Sequence, residues 1–203
     1  SSLSWGYAEW WTILFGLGWL TVISLWKKTG ESSQLGLAGV FAGIALGTKY
    51  TAGILLICGM AVILLDHKIA FQKRLHLLAW FVLPALLVFS PWLVKNFLIT
   101  GSPVYPLLFP AGAMSALRLA LYQGGKPWGS WLDIPFLPVR LTIYGVYGAP
   151  GYSASIGPLL IGLSLGAFLS WQTRADAERL LARLALTVSL VGFLVWMIAG
   201  RFS

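Results

Sequence analysis

The stretch LGLAGVFAGIALGTKYTAGILL, residues 35–56, is apolar and rich in small residues on both sides of a short polar centre, GTKY at residues 47–50. It can form one long helix, or a hairpin of two helices that turns at this centre. The choice decides the fold, because it determines whether the charged segments before and after the stretch lie on opposite sides or on the same side. The small residues permit helices to pack closely.

The composition of the 203-residue chain is typical of a membrane protein built from helices. Hydrophobic residues make up 58% of it and charged residues 10%, whereas soluble domains carry about 25% charged residues. Long unbroken apolar runs are present instead of the alternating segments of about ten residues that form membrane β-barrels. We therefore predict an all-α fold, a polytopic transmembrane helical bundle. It is expected to form a single domain over residues 1–203, as an internal fragment of a longer polypeptide.

The apolar runs predict about six membrane segments. A spanning helix needs about 20 residues, within a range of about 17–25, so the second and third runs are short. The six runs cover residues 7–26, 33–48, 50–65, 75–94, 156–171 and 180–199.

The positions of the basic residues favour the hairpin. Short cytoplasmic loops carry an excess of Lys and Arg, and a hairpin places eight of the 14 Lys and Arg residues in three loops on one side. One continuous helix would divide them between the two sides. We therefore predict a hairpin whose turn, at residues 47–50, lies on the external side. The eight residues are Lys27, Lys28, Lys68, Lys73, Arg74, Arg174, Arg179 and Arg183.

The longest connection, residues 95–155, is predicted to be an external loop that carries short interfacial helices. It is rich in Pro, Gly, Trp and Tyr, and aromatic rings of this kind settle at the level of the lipid headgroups. Within it, residues 114–123 place apolar side chains at helical spacing around Arg118, which is typical of a helix lying in the interface.

Six basic residues fall outside the cytoplasmic loops, against the bias that governs the others. They fit an electropositive cavity for a phosphate-bearing lipid or an anionic substrate. They equally fit ordinary side chains that reach out to headgroup phosphates, and the residues alone leave both interpretations open. The six are Lys49, Lys95, Arg118, Lys126, Arg140 and Arg201.

Acidic residues are scarce on the predicted external side, where only Glu9 and Asp133 lie. Glu9, at the outer start of the first run, can face a cavity, act on a substrate or pair with a nearby cation. Asp133 fits a turn or a helix cap. The sequence contains no phosphate-cradling glycine loop, no Ser-His-Asp set and no Cys/His cluster with metal-binding spacing.

Three stretches resemble a known family. YAEWWTILFGLGWLTVISLW (residues 7–26) resembles its helix that opens with an external acidic residue, and residues 35–56 resemble its aGlalGtKytal hairpin. SPWLVKNFLITGSPVYPLLFP (residues 90–110) resembles its PWlikNyl.tGNPvyPf segment, with Ser102 where Asn is common. The family is the superfamily of C-type membrane glycosyltransferases. It includes the dolichyl- or polyprenyl-phosphate-mannose transferases, the protein mannosyltransferases and the aminoarabinose transferases.

The resemblance implies a glycosyltransferase, or part of one, that takes a sugar from a polyprenyl-phosphate-linked donor. It implies transfer to an acceptor on the non-cytoplasmic side of a bacterial plasma membrane, by an integral, multi-pass protein. Glu9 would be the catalytic candidate, although the family's main catalytic acid has no match here, so the fragment alone is expected to be inactive. A divalent metal ion stays open as a cofactor. The implied substrate- or phosphate-binding residues are Lys49, Tyr50, Lys95, Asn96, Tyr105 and Arg201.

Two other functions compete with this one. A non-catalytic accessory or scaffold subunit of a larger complex is favoured by the missing acidic loop and by the 11 tryptophans. A transporter of lipid-linked sugars would need charged sites near the bilayer midplane, often in repeated halves, and the sequence shows no repeat and few such charges. The expected partners are membrane lipids, the polyprenyl-phosphate-linked sugar, and other membrane subunits or the remainder of the chain. We expect no nucleic acid partner, because the net charge of +8 arises in membrane loops.

Overall fold

The computed structural model describes residues 8–105, 135–145, 158–171 and 175–202, and the regular structure in these ranges is helical. A short 3₁₀ turn, Tyr50–Ala52, separates the second and third helices. The seven α-helices of the described ranges are α1 (Ala8–Thr29), α2 (Ser32–Thr48), α3 (Gly53–Leu64), α4 (Phe71–Thr100), α5 (Leu137–Ile143), α6 (Pro158–Leu169) and α7 (Asp176–Phe202).

The prediction of a polytopic bundle with about six membrane segments is wrong. Within the described ranges, two helices, α1 and α4, are long and apolar enough to cross a membrane, and they support association with a membrane. Helices α2, α3 and α6 have 17, 12 and 12 residues. At about 1.5 Å per residue, they are shorter than a hydrocarbon core of about 30 Å. Helix α7 opens with charged residues, Asp176 and Glu178 in its first turn.

The hairpin predicted for residues 35–56 is confirmed. Helix α2 ends where Lys49 adopts an extended backbone conformation, with φ −155° and ψ 127°. The Lys49 N–H still donates to the carbonyl of Ala45, at 3.0 Å, and so closes the last turn of α2. The 3₁₀ turn follows, and α3 begins at Gly53. The apolar run is therefore cut into two short helices at its polar centre.

Two ion pairs fix the directions of the first helices. Lys27, in the last turn of α1, contacts Asp66, which follows α3, with 2.7 Å between Nζ and Oδ2. Glu9, in the first turn of α1, contacts Lys49, which follows α2, with 2.7 Å between Oε1 and Nζ. Helices α1, α2 and α3 therefore alternate in direction. We call the two ends of this group the Lys27 end and the Lys49 end.

Helix α4 starts at the Lys27 end and runs to the Lys49 end. Near its start, Arg74 donates from Nη1 to the Leu64 carbonyl at 2.8 Å and from Nε to the Ile69 carbonyl at 2.7 Å. The first bond satisfies a carbonyl at the end of α3 that has no partner within that helix, and the second holds the connection between α3 and α4. Near the other end of α4, Asn96 is hydrogen-bonded to Tyr50 of the hairpin turn.

Helix α2 packs closely against α4 because glycines remove the side chains at their contact. A Cβ on Gly39 would overlap the Phe81 carbonyl oxygen, and one on Gly43 would overlap the Ala85 carbonyl oxygen. A Cβ on Gly59 of α3 would meet the Phe81 ring, which is fully buried. The close packing predicted for the small residues is therefore confirmed.

Helix α4 contains two prolines, Pro84 and Pro91, and continues through both. A proline has no N–H, so it leaves the carbonyl four residues earlier without its helical partner. The Ser90 hydroxyl donates to the Leu87 carbonyl at 2.8 Å, and this is the carbonyl that Pro91 leaves unbonded. Side-chain hydroxyls commonly satisfy backbone groups in this way within apolar helices.

The end of α4 lies past the predicted boundary of its apolar run. The helix ends at Thr100, and Gly101 terminates it with a φ of +75°, a conformation that glycine adopts at helix C-termini. Lys95 and Asn96 are therefore helical and do not begin the loop predicted for residues 95–155. The interfacial helix predicted for residues 114–123 lies outside the described residues.

The chain divides into two compact units. The first comprises Ser1–Ala113 and Leu180–Gly192. It holds α1 to α4 and the middle of α7, whose Leu184 joins the buried apolar core. The second comprises Met114–Arg179 and Phe193–Ser203, and in it α5 contacts α6.

Candidate functional site

An exposed ion pair joins the start of α1 to the end of α2. The Lys49 ammonium donates to Glu9 Oε1 at 2.7 Å, across 40 residues of sequence, and the two side chains are 42% and 54% exposed. Beside it, the hydroxyl oxygens of Thr12 and Thr48 lie 2.9 Å apart, in hydrogen-bond contact. The sequence left three roles open for Glu9, and in the structure Glu9 pairs with a nearby cation, Lys49.

A single hydroxyl connects the hairpin turn to the end of α4. The Tyr50 hydroxyl accepts hydrogen bonds from Trp92 Nε1 at 3.0 Å and from Asn96 Nδ2 at 2.7 Å. It donates to the Tyr105 carbonyl at 2.8 Å. We call these four residues the Tyr50 network. It ties together three segments: the turn after α2, the last turns of α4 and the chain that follows α4.

Asn96 is buried, with 9% of its surface exposed. It is the most buried of the predicted site residues that belong to the Tyr50 network. Its Nδ2 also lies 3.4 Å from the Pro103 carbonyl, and its own carbonyl accepts from the Thr100 hydroxyl at 2.8 Å. Buried amides of this kind are held by satisfied hydrogen bonds. The resemblance implied that Asn96 binds substrate, whereas here its amide bonds to Tyr50 and to the turn after α4.

Lys95 lies at the same end, on an exposed face of α4. Its ammonium sits 4.6 Å from the centre of the Trp92 ring, a cation–π contact that connects it to the Tyr50 network. Lys95 also lines an open groove of about 560 Å³ whose other lining residues are mainly apolar. These are Ser90, Pro91, Val94, Leu98 and Ile99.

A buried hydroxyl without a partner lies in the same region. In the part of the chain that the structure describes, Ser102 Oγ is buried and makes no hydrogen bond, although the Ser102 backbone contacts the Thr100 hydroxyl. Buried polar atoms are nearly always paired. The sequence marked this position only as a departure from a common asparagine.

The other candidate residues lie in the second unit or outside the side chains that the structure describes. The backbone of Arg201 lies in α7, and its side chain lies outside the described residues. Arg140 lies in α5, in the second unit, above the Phe136 ring at 6.0 Å. Arg118, Lys126 and Asp133 lie outside the described ranges.

The divalent metal ion that was left open as a cofactor stays a prediction. No group of three His, Cys, Asp or Glu side chains in the described ranges is placed to hold one. Glu9, the acidic residue of the candidate site, is engaged by Lys49.

The fold and the site together define a helical, membrane-associated protein with a polar cluster at one end of its first four helices. The chain belongs to the family described as "Domain of unknown function (DUF8201)", whose model matches residues 10–113, or 104 of the 203 residues. The match covers α2 to α4, most of α1 and the whole Tyr50 network. No curated protein and no solved structure matches the chain. The glycosyltransferase resemblance stays a prediction.

Removing the Tyr50 hydroxyl should destabilise the first unit. Tyr50→Phe leaves the Trp92 and Asn96 donors without their acceptor and the Tyr105 carbonyl without its donor. A buried group left unsatisfied costs about 1–3 kcal/mol, so we expect the free energy of unfolding in detergent to fall by about 2 kcal/mol. Tyr144→Phe, at an exposed tyrosine of the second unit, is the matched control. Equal stability of the two variants would contradict the role of the network.

Proposed function

We propose that the chain is part of a membrane glycosyltransferase that takes a sugar from a polyprenyl-phosphate-linked donor and transfers it to an acceptor on the non-cytoplasmic side. The observation that carries the proposal is the Lys49 ammonium, exposed at one end of apolar helices and paired with Glu9. A cation placed there suits a phosphate carried by a lipid.

The chemistry of the reaction assigns a role to each charged group of the cluster. When the sugar leaves its carrier, negative charge develops on the lipid phosphate, and a positioned cation stabilises that charge. Lys49 is the residue proposed for this contact, and Lys95 is a second cation at the same end. Glu9 is proposed to act on the acceptor as a general base. The apolar groove beside Lys95 offers a surface for the lipid chain.

The distribution of charge supports the orientation of the site. Lys27, Arg74 and the loop that follows α3 lie together at the Lys27 end, with Lys28 and Lys68 next to them in sequence. Since cytoplasmic loops carry the excess of Lys and Arg, we assign the Lys27 end to the cytoplasmic side of a bacterial plasma membrane. In this proposal α1 and α4 cross that membrane, and the Lys49 end faces outwards.

The test is transfer of labelled sugar in membranes that contain the complete polypeptide to which this chain belongs. Polyprenyl-phosphate mannose, glucose and aminoarabinose are supplied as donors. Lys49→Met should lower the rate by about 10- to 100-fold, as expected for loss of a charge-assisted hydrogen bond worth about 1.5–3 kcal/mol. Lys28→Met removes the same charge from an exposed residue at the other end and should leave the rate unchanged. A wild-type rate in Lys49→Met would refute the assignment.

A non-catalytic membrane subunit is the second candidate, and one observation favours it. Helix α4 exposes large apolar side chains, among them Leu87 at 73% and Leu98 at 76%. Another subunit could cover such a surface, as could lipid. This function takes precedence if the wild-type polypeptide transfers no sugar from any of the three donors.

A further inference from the structure

The Glu9–Lys49 ion pair is accessible to solvent, and its helices are joined without it. About half of each side chain is exposed, and exposed ion pairs contribute little to the stability of a protein. The hydroxyl contact between Thr12 and Thr48 joins the same two helices. Thr12 also donates to the Ala8 carbonyl, so it is held within α1. The ion pair can therefore open while α1 and α2 stay together.

We propose that Glu9 is a built-in competitor at an anion site on Lys49. A phosphate group displaces the Glu9 carboxylate from the Lys49 ammonium, and the same event frees Glu9 to contact a second substrate. This inference rests on the proposed function, because it describes how that site holds the lipid phosphate as the sugar leaves it.

The charges favour such an exchange. The polyprenyl phosphate that remains when the sugar leaves is a phosphate monoester. It carries a charge of about −1.5 to −2 near neutral pH and offers three acceptor oxygens, against the single charge of a carboxylate or of the phosphodiester in the donor. A lysine ammonium has three donors, and within the described ranges the hydrogen bond of Lys49 Nζ goes to Glu9. The phosphate can therefore replace that bond and add to it.

The released carboxylate is also accommodated. Glu9 lies in the first turn of α1, where the helix dipole stabilises negative charge, and about half of its side chain already faces solvent. Loss of Lys49 therefore does not leave a buried, unpaired charge. Binding of the phosphate and release of Glu9 become two parts of one exchange.

The rigid support of Lys49 makes the exchange local. Tyr50, the next residue, is fixed to α4 by the hydrogen bonds of its hydroxyl with Trp92 and Asn96. The backbone at Lys49 is held between the end of α2 and this anchored side chain. The movement that opens the pair therefore needs only the side chains of Glu9 and Lys49.

The test measures binding of farnesyl phosphate to the purified complete protein in detergent by titration calorimetry. Glu9→Gln should tighten binding by about 2- to 5-fold, the range that loss of an exposed ion pair supports, because the competing anion is gone. Glu9→Asp keeps the charge on a shorter side chain and should lie between the wild type and Glu9→Gln. Glu31→Gln, which removes an exposed carboxylate just before α2, should have no effect.

The double variant separates direct competition from a general effect of charge. Lys49→Met should weaken the binding of farnesyl phosphate by about 10-fold or more. The double variant, which adds Glu9→Gln, should bind farnesyl phosphate as weakly as Lys49→Met alone. Farnesol should bind equally to all variants. Inorganic phosphate serves to distinguish the source of the anion. If Glu9→Gln increases the affinity for farnesyl phosphate alone, the site binds the phosphate of a lipid. If it also increases the affinity for inorganic phosphate, the site binds phosphate from either source.

Other outcomes overturn the inference. If Lys49→Met abolishes binding but Glu9→Gln does not tighten it, Glu9 is no competitor, although the phosphate site stands. If the tightening by Glu9→Gln persists without Lys49, the effect is one of general charge and the inference fails. If farnesyl phosphate binds neither the wild type nor Glu9→Gln, or binds regardless of Lys49, the proposed function fails together with it.

Discussion

Replacing Gly39 with alanine should lower the free energy of unfolding by about 2–3 kcal/mol, in the upper part of the range for overpacked cores. The added Cβ would overlap the Phe81 carbonyl oxygen on α4. A side chain in this position could rotate away, whereas a backbone oxygen of a helix cannot. Helices α2 and α4 must therefore move apart along their contact. Unfolding by denaturant in detergent micelles, followed by circular dichroism, measures the loss.

Gly47 provides the matched control for this variant on the same helix. A Cβ at Gly47 meets no atom within 4 Å, so Gly47→Ala adds no overlap. Alanine is favoured over glycine inside a helix by about 1 kcal/mol, and Gly47→Ala should therefore be neutral or stabilising. If the two variants lose the same stability, the close contact of α2 with α4 does not exist as described.

The directions of the first helices could be predicted from the sequence because charge restricts the possible topologies. The basic residues at both ends of residues 35–56 made the hairpin the better choice, and the ion pairs of Lys27 and Lys49 agree with it. The number of membrane spans could not be predicted in the same way. Apolar content shows which residues avoid water. Whether a helix can span a membrane depends on how many residues it continues without a break. The extended backbone at Lys49 sets that length for α2 and α3.

The candidate site was predictable in part, because ionisable and amide side chains at the ends of apolar helices are unusual. Glu9, Lys49 and Asn96 stood out for this reason. The pairing of these residues with one another could not be predicted, because contacts across 40 and 46 residues depend on how the helices pack. Thr12 and Thr48 look like ordinary helix residues until α1 and α2 bring them together. A weak signal did exist for Trp92, which precedes Asn96 by one helical turn and so shares its face of α4.

Removing the carboxylate of Asp66 should destabilise the first unit by about 2 kcal/mol. Asp66 and Lys27 form a partly buried pair whose side chains are 17% and 21% exposed, and Lys27 also approaches the Val62 carbonyl at 3.5 Å. Asp66→Asn leaves a partly buried ammonium without its counter-charge. The expected cost lies between the value of about 0–1 kcal/mol for exposed pairs and that of about 3–5 kcal/mol for breaking a fully buried pair.

Two further variants test whether the loss comes from the unpaired charge. Lys27→Met combined with Asp66→Leu removes both charges, and apolar replacements of a buried pair are often neutral, so this double variant should recover most of the lost stability. Asp176→Asn removes one partner of the Asp176–Arg179 contact, in which Asp176 is fully exposed, and should leave the free energy of unfolding nearly unchanged. A similar loss in Asp66→Asn and Asp176→Asn would contradict the role of burial.

The same pair predicts how stability depends on pH. The hydrogen bond from Lys27 holds the pKa of Asp66 below its ordinary value, and the Lys68 backbone N–H, which donates to Asp66, acts in the same direction. In the unfolded chain the pKa of this carboxyl is about 3.9. The stability that the pair provides is therefore fully present above that pH and is lost as the pH falls through the lower pKa of the folded state. Unfolding measured between pH 7 and pH 2 should show this acid loss in the wild type. The part due to Asp66 should be absent in Asp66→Asn, because an amide has no proton to gain; an identical acid loss in both proteins would mean that other carboxylates cause it.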